Sequence, residues 1–271
     1  MNPFEKIVNA VAGLTMAKPP FYGWYHTFWI SVTIAACILI FNLRKQITER
    51  AVNVTLIAWA SVLIFLEICK QIVVSFHYDG ETVIWSYNWA SFPFQFCSCP
   101  LFVALPAGIL KKGKIKRLLI SFIGAFAIIG GGFAMLVPAN MFSNSVFLNV
   151  HTMVWHSSMV CVCFLLLATR TVTPSWRSLL DGLVVFINLV FIALLLNVLI
   201  GGHMGIKGFN LFYISPYEAF DIPLIQFAYA HLPYPVYLLL YISLFTLAAT
   251  LVLLIAHGGH KLVQRSRKKP S

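Results

Sequence analysis

The chain repeatedly presents about twenty consecutive apolar residues, enough for a helix rising ~1.5 Å per residue to cross ~30 Å of hydrocarbon. The apolar stretches predict spans at Tyr25–Leu43, Ala51–Phe76, Phe92–Leu110, Leu118–Val137, Val146–Ala168, Leu179–Ile200 and Val236–His257. None alternates apolar and polar residues in the ~10-residue segments of a membrane barrel. The expected fold class is therefore all-α, a polytopic membrane bundle of seven transmembrane helices. Composition agrees: 60% of the 271 residues are hydrophobic and 10% charged, against about 25% charged in a soluble domain. An ordinary soluble enzyme and a disordered chain are excluded. Six cysteines in this length are too sparse for a disulfide-stapled scaffold.

The net charge of +11 is explained by topology. Fifteen Lys and Arg fall in alternate connections and the tail, on one side of the predicted spans. Lys6, Lys18 and Lys207 fall on the other, and Lys70 lies inside the second span. The positive-inside rule then places the N-terminus outside and the C-terminus in the cytoplasm of a plasma-membrane protein. Nucleic acid is not an expected partner; membrane lipids are. Residues 1–24 read as an interfacial segment, 25–257 as the membrane domain and 258–271 as a basic tail. Pro3–Met16 is weakly amphipathic, and no cleavable signal peptide is expected. The long outer connection 201–235 predicts a folded cap with a short helix over Pro216–Ala230.

Polar groups in hydrocarbon cost several kcal/mol unless paired, so each asks for a reason. On the predicted topology His26, Glu67, Lys70, Gln95, Cys97, Ser98, Cys99, His151, His156, Asn197 and Asn210 come to a similar depth in the outer half of the bilayer. Such a level predicts a pocket open toward the outer leaflet. Glu67 and Lys70 are three apart and can meet on one helix face. His151 and His156 are five apart, about 140° around a helix, so they are not expected to share a face. The run Gly130–Gly132 predicts close helix packing.

Cys97-x-Cys99 and Cys161-x-Cys163 resemble metal pairs only on paper. Residues two apart on a helix point about 200° from each other, and no spacing matches a zinc pattern. No metal or other cofactor is expected. Cys37, Cys69, Cys161 and Cys163 read as small packing residues. Cys97 differs, because Pro93 and Pro100 flank it. A Cys in the first turns of a helix feels the positive end of the dipole, which favours a thiolate.

The run Phe92-Pro93-Phe94-Gln95-Phe96-Cys97 resembles the Leu-Pro-Leu-His-Leu-Cys type motif of the YwaF-type integral membrane proteins, the transmembrane protein 164 family. Further matches follow in order: His26 opening the first span, Glu67 late in the second and His156 in the fifth. Phe209-Asn210-Leu211-Phe212-Tyr213 with Pro216 is similar to the family's Asn-Tyr-Met-Phe-Leu…Pro signature. Leu232–Tyr237 is similar to its Trp-Pro-Trp-Tyr type entry to the last span. Gln95 stands where the motif often has His, and Ser215 where a basic residue commonly precedes the Pro. The resemblance implies a compact multi-helix membrane protein. It also implies fatty-acyl transfer on phospholipid or lysophospholipid, with Cys97 as acyl acceptor, His156 as base and Glu67 or His26 in support. Gln95, His151 and Asn210 are then expected at the substrate.

Two other classes stay open on the residues alone. The same cluster would serve a transporter or membrane binding protein for a small hydrophobic or cationic ligand. It would equally suit a non-catalytic envelope protein. Cys97 and His156 brought together beside a lipid-wide cavity favour the enzyme, and a closed, well-packed cluster favours the envelope protein.

Overall fold

Side-chain caps and prolines set where the elements begin. In a computed structural model, which describes residues 2–78, 81–137, 141–219 and 223–266, Thr48, Ser145 and Ser175 each accept a hydrogen bond from a backbone N–H of the first helical turn that follows. They open α3 (Glu49–Ser75), α7 (Val146–Ala168) and α8 (Trp176–Leu196). The other long helices are α2 (Trp24–Leu43), the α5–α6 pair (Lys114–Phe122 and Ile128–Leu136) and α10 (Tyr234–Ser266). Among the described residues, six helices are long and apolar enough to cross a membrane, the α5–α6 pair counting as one. The protein is an all-α, multi-pass membrane bundle, with a short antiparallel hairpin of β1 (Phe76–Tyr78) and β2 (Val83–Trp85).

The expected third span takes a different form. Phe92–Leu110 is not one helix: a tight turn leads to a 3₁₀ turn at Phe96–Ser98 and then to the ten-residue α4 (Pro100–Ile109). Pro100 has no N–H to donate and occupies the first turn of α4, so the helix starts there. Cys97 consequently precedes the helix instead of lying within its first turns. At one end of this stretch Gln71, in the last turns of α3, donates to the Ser91 carbonyl at 2.7 Å. At the other end Gly108 packs against Asn53 and Ile57, near the start of α3.

The remaining elements follow the expected positions with local changes. A π-helical turn at Ile123–Ala127 joins α5 to α6, and the Cys163 thiol donates to the Ile123 carbonyl at 2.8 Å. A second π-helical turn, Asn197–His203, prolongs α8. The predicted interfacial segment contains α1 (Pro3–Ala12), capped reciprocally by Asn2 and Glu5. It is not free on the surface, because Phe4 meets Phe76 of the hairpin edge-on at 5.1 Å. In the outer connection α9 runs Pro223–His231, so it starts later than the predicted Pro216–Ala230, whose residues 220–222 lie outside the described set. Asp79 and the tail from residue 267 lie outside it too.

Packing brings α2 along α7, α3 along α4 and α5 along α8. Lipid tails are as apolar as these side chains, so association rests on close van der Waals fit and on polar ties between helices. Arg117 of α5 holds Asp181 of α8 at 2.6 Å. The buried Lys116 donates to Asn53 of α3 at 2.7 Å. The glycine run works as its composition implies: a Cβ at Gly131 would stand 2.8 Å from the Met159 Cβ and 3.1 Å from the His156 carbonyl. A Cβ at Gly132 would meet nothing within 4 Å. Gly131→Ala is therefore expected to overpack the α6–α7 contact by ~1–3 kcal/mol and lower the melting temperature of the detergent-solubilised protein. Gly132→Ala should leave it equal or higher, and equal melting temperatures for the two variants would contradict this account of the contact.

Candidate functional site

Glu67, Gln71 and Ser75 are four residues apart along α3 and so line one face of it. Glu67 is buried, and its Oε1 accepts from the Lys70 ammonium at 2.7 Å and from the Gln71 amide at 2.7 Å. The predicted pairing of Glu67 with Lys70 is thus present. Glu67 Oε2, Gln71 Oε1 and Ser75 Oγ are buried with no hydrogen-bond partner among the described residues. All three residues line a cavity of about 490 Å³ whose remaining wall is mainly apolar, from Ile64 to Leu101.

Phe92–Cys97 faces this end of the bundle and is held by its aromatic rings. Phe92 meets Phe209 at 5.4 Å, and Phe94 stacks on Phe212 at 5.9 Å. Phe96 packs against Phe245 at 4.7 Å and also reaches Phe122, Phe186 and Phe212. With these rings set, Cys97 lies against α6: a Cβ at Gly130 would stand 3.6 Å from its Cα. The Trp155 indole N–H donates to the Cys97 carbonyl at 2.9 Å. Trp155 precedes His156 in α7, so one residue ties the cysteine backbone to the helix carrying the histidine. No hydrogen bond joins the Cys97 thiol to His156 directly among the described residues. The charge on Lys70 is near enough to act on both Cys97 and His151.

The three histidines differ in what their nitrogens do. His156 Nδ1 lies 2.8 Å from the Thr152 carbonyl. That oxygen can only accept, so Nδ1 carries the proton and the neutral ring keeps a lone pair on Nε2. Nε2 is buried and unpartnered. His151 stacks on Trp155 at 5.2 Å, and its Nε2 is likewise buried and unpartnered. Both histidines are buried despite the ~140° between them. His26 has no such freedom: its Nδ1 accepts from the Tyr22 N–H at 3.0 Å, and its Nε2–H donates to the Met135 carbonyl at 2.7 Å. It ties the start of α2 to the end of α6.

Gln95 and Asn210 act on backbone. The Gln95 amide donates to the Asn210 carbonyl and accepts from the Phe212 N–H, both at 2.9 Å. Asn197 grips both backbone groups of Leu211, at 2.8 and 3.0 Å. The Asn210 side chain accepts from the Ser215 N–H and donates to the Glu218 carbonyl. Tyr237 and Tyr234 donate to the Tyr213 and Ile214 carbonyls. These bonds hold Phe212 and Tyr213 at φ 57° and 59°, a left-handed conformation that a side chain disfavours. Burial pushes the Tyr213 phenol up to about 12, so it stays neutral.

The TMEM164 family model matches residues 21–255. The chain belongs to the TMEM164 family. Neither the curated proteins nor the solved structures compared with it include a match. In this TMEM164 family member the Gln95 amide supplies one donor and one acceptor to backbone, as a neutral imidazole would. Among the described residues no three His, Cys, Asp or Glu side chains converge as a metal site requires.

The structure thus brings Cys97 and His151 to Trp155, with His156 the next residue of α7 and Glu67 on α3. It sets His26, Gln95 and Asn210 into structural ties. Gln71, Ser75 and Trp155 escaped the sequence reading. The four-residue spacing of Glu67, Gln71 and Ser75 in an apolar helix was the signal for the first two; Trp155 carried none. Gln95→Ala leaves the Asn210 carbonyl and the Phe212 N–H unpaired, a loss of ~1–3 kcal/mol for each buried group. Hydrogen exchange at residues 211–215 is expected to accelerate in that variant with α2 unchanged; unaltered exchange would show that the amide does not hold the segment.

Proposed function

We propose that this protein is a lipid acyltransferase of the plasma membrane working through a Cys97 thioester. The observation that carries the reading is the His156 Nε2 lone pair, buried and unpartnered, one residue from the indole that holds Cys97. A neutral imidazole with a free lone pair is a base waiting for a proton. In the first step Nε2 takes the Cys97 proton, and sulfur attacks the ester carbonyl of a phospholipid. The acyl carbon–oxygen bond breaks, and the departing lysolipid alkoxide takes the proton back from His156. In the second step the hydroxyl of an acceptor lysophospholipid gives its proton to Nε2 and attacks the thioester. The new ester forms, and the thiolate leaves and is reprotonated. Lys70 stays paired with Glu67 beside this cluster. His151 and the unpaired atoms facing the α3 cavity meet polar parts of the substrate, while its chains remain among apolar walls. His26, Gln95 and Asn210 are positioning residues.

The proposal includes a seventh crossing made by residues 91–109. Its support is that this stretch runs from Gln71 to Asn53 of α3, a separation of ~27 Å along a helix. Seven crossings put the basic end in the cytoplasm and the Cys97 cluster toward the outside, as the charge distribution favours. A reporter fused at the C-terminus is then expected to read cytoplasmic and one at the N-terminus exterior; both on one side would leave six crossings.

The activity is tested by lipid profiling of membranes expressing matched amounts of wild type, Cys97→Ala, Cys97→Ser and His156→Gln, with labelling by a thiol-reactive acyl probe. Wild type is expected to remodel phospholipid acyl chains and carry the probe on Cys97. Both cysteine variants should abolish remodelling, and His156→Gln should slow it by ~10²–10⁴-fold. Identical lipid profiles with an unlabelled Cys97 would overturn the reading and leave the α3 cavity to a binding or transport role.

A further inference from the structure

A further cavity lies at the other end of the bundle from Cys97. It measures about 780 Å³ and opens between the ends of α2, α7 and α10. Its inner wall is apolar, from Phe41, Phe164 and Leu167 to Val252 and Ala256. Phe41 and Phe164 also line a second, wholly apolar cavity of about 300 Å³ that follows α2 and α7 toward Thr33. The two therefore form one groove that continues along the α2–α7 seam.

The mouth of this groove is basic. Arg44 and Lys45 come from the end of α2, Arg170 from the turn after α7 and His260 from α10. Arg170 sits in a left-handed turn, at φ 60°. It also borders an adjoining cavity of about 370 Å³ lined by Lys111, Lys112 and Lys116. Arg44 and Arg170 both act electrostatically on His260. Among the described residues none of Arg44, Lys45 and Arg170 pairs with a carboxylate, whereas Lys116 and Arg117 nearby do. At 33 residues α10 extends ~50 Å, more than the ~30 Å of hydrocarbon. Its last turns, where His260 lies, therefore reach headgroup level.

We infer that this groove binds one anionic phospholipid, with an acyl chain along the α2–α7 seam and the phosphate among Arg44, Lys45 and Arg170. Arg44 donates to the Phe41 carbonyl and lies 3.6 Å over its ring, so the trough ends in cations that have no carboxylate partner among the described residues, which matches both parts of such a molecule. A zwitterionic lipid would bring its own cation to the same basic mouth. The site is independent of the acyl-transfer reading, because none of its residues belongs to the Cys97 cluster.

The test titrates delipidated full-length protein in neutral detergent with phosphatidylglycerol, with phosphatidylcholine of the same chains, and with soluble glycerol phosphate. Retained lipid is read by native mass spectrometry and thermal shift. Gly259 supplies a blocking position, since a Cβ there meets nothing within 4 Å and the residue lines the groove. Gly258 is equally open but does not line it. Wild type is expected to retain phosphatidylglycerol over phosphatidylcholine. Arg44→Gln and Arg170→Gln should each weaken that retention about fivefold. Gly259→Phe should abolish it, and Gly258→Phe should bind as wild type does, with the lipid-free melting temperatures of all variants unchanged. Equal retention of the two lipids, full retention by Gly259→Phe, or an equal shift from glycerol phosphate alone would each overturn the inference.

Discussion

The Gln95 amide joins two stretches of this bundle that depart from α-helix. A membrane interior offers no water to an unpaired peptide group, so each interruption of a helix must be closed by the protein itself. The stretch Phe92–Cys99 leads into α4, and Asn210–Ser215 lies in the connection 201–235. Each would be untenable alone. Together they satisfy one another: Gln95 bonds both a carbonyl and an N–H of the second stretch, and Phe94 and Phe96 pack on Phe212. Asn197, Tyr234 and Tyr237 close the remaining backbone groups. The left-handed pair at Phe212 and Tyr213 persists because so many bonds over-determine it.

That anchored corner fixes where the chemistry-bearing groups can go. With Phe96 locked among rings of α5, α8 and α10, the next residue is pressed against Gly130 and its carbonyl meets Trp155. The buried atoms left without partners among the described residues, on Glu67, Gln71, Ser75, His151 and His156, fall in this half of the bundle. The opposite half pairs its buried charges, Lys116 with Asn53 and Arg117 with Asp181. Among the described residues, buried polar atoms are thus left unpaired at one end, and buried charges are paired at the other.

Much of this was legible in the residues. The fifth predicted span coincides with α7, and the first and second differ from α2 and α3 by one or two residues, because uninterrupted apolar runs bounded by caps leave a helix little choice. The Glu67–Lys70 pair followed from three-residue spacing, and the tight packing of the glycine run from the absence of side chains. The third span was misjudged as a single helix because hydropathy records how apolar a stretch is, not whether its peptide groups bond within a helix or across to another segment. Pro93 and Pro100 marked the interruption, but the partners that make it tolerable lie more than a hundred residues away.

Apolar run length, a local property, by itself determined that this chain is a helical, multi-pass membrane protein. The roles of its polar residues were decided only by tertiary structure. His26 and His156 look alike in sequence, each a histidine in a predicted apolar span. One spends both ring nitrogens on backbone, and the other keeps a lone pair. Gln95 resembled a missing base and proved to be a clamp. Hydrogen-bond partners are chosen by packing between distant segments, and no local pattern of residues records which nitrogen or oxygen will be left without one.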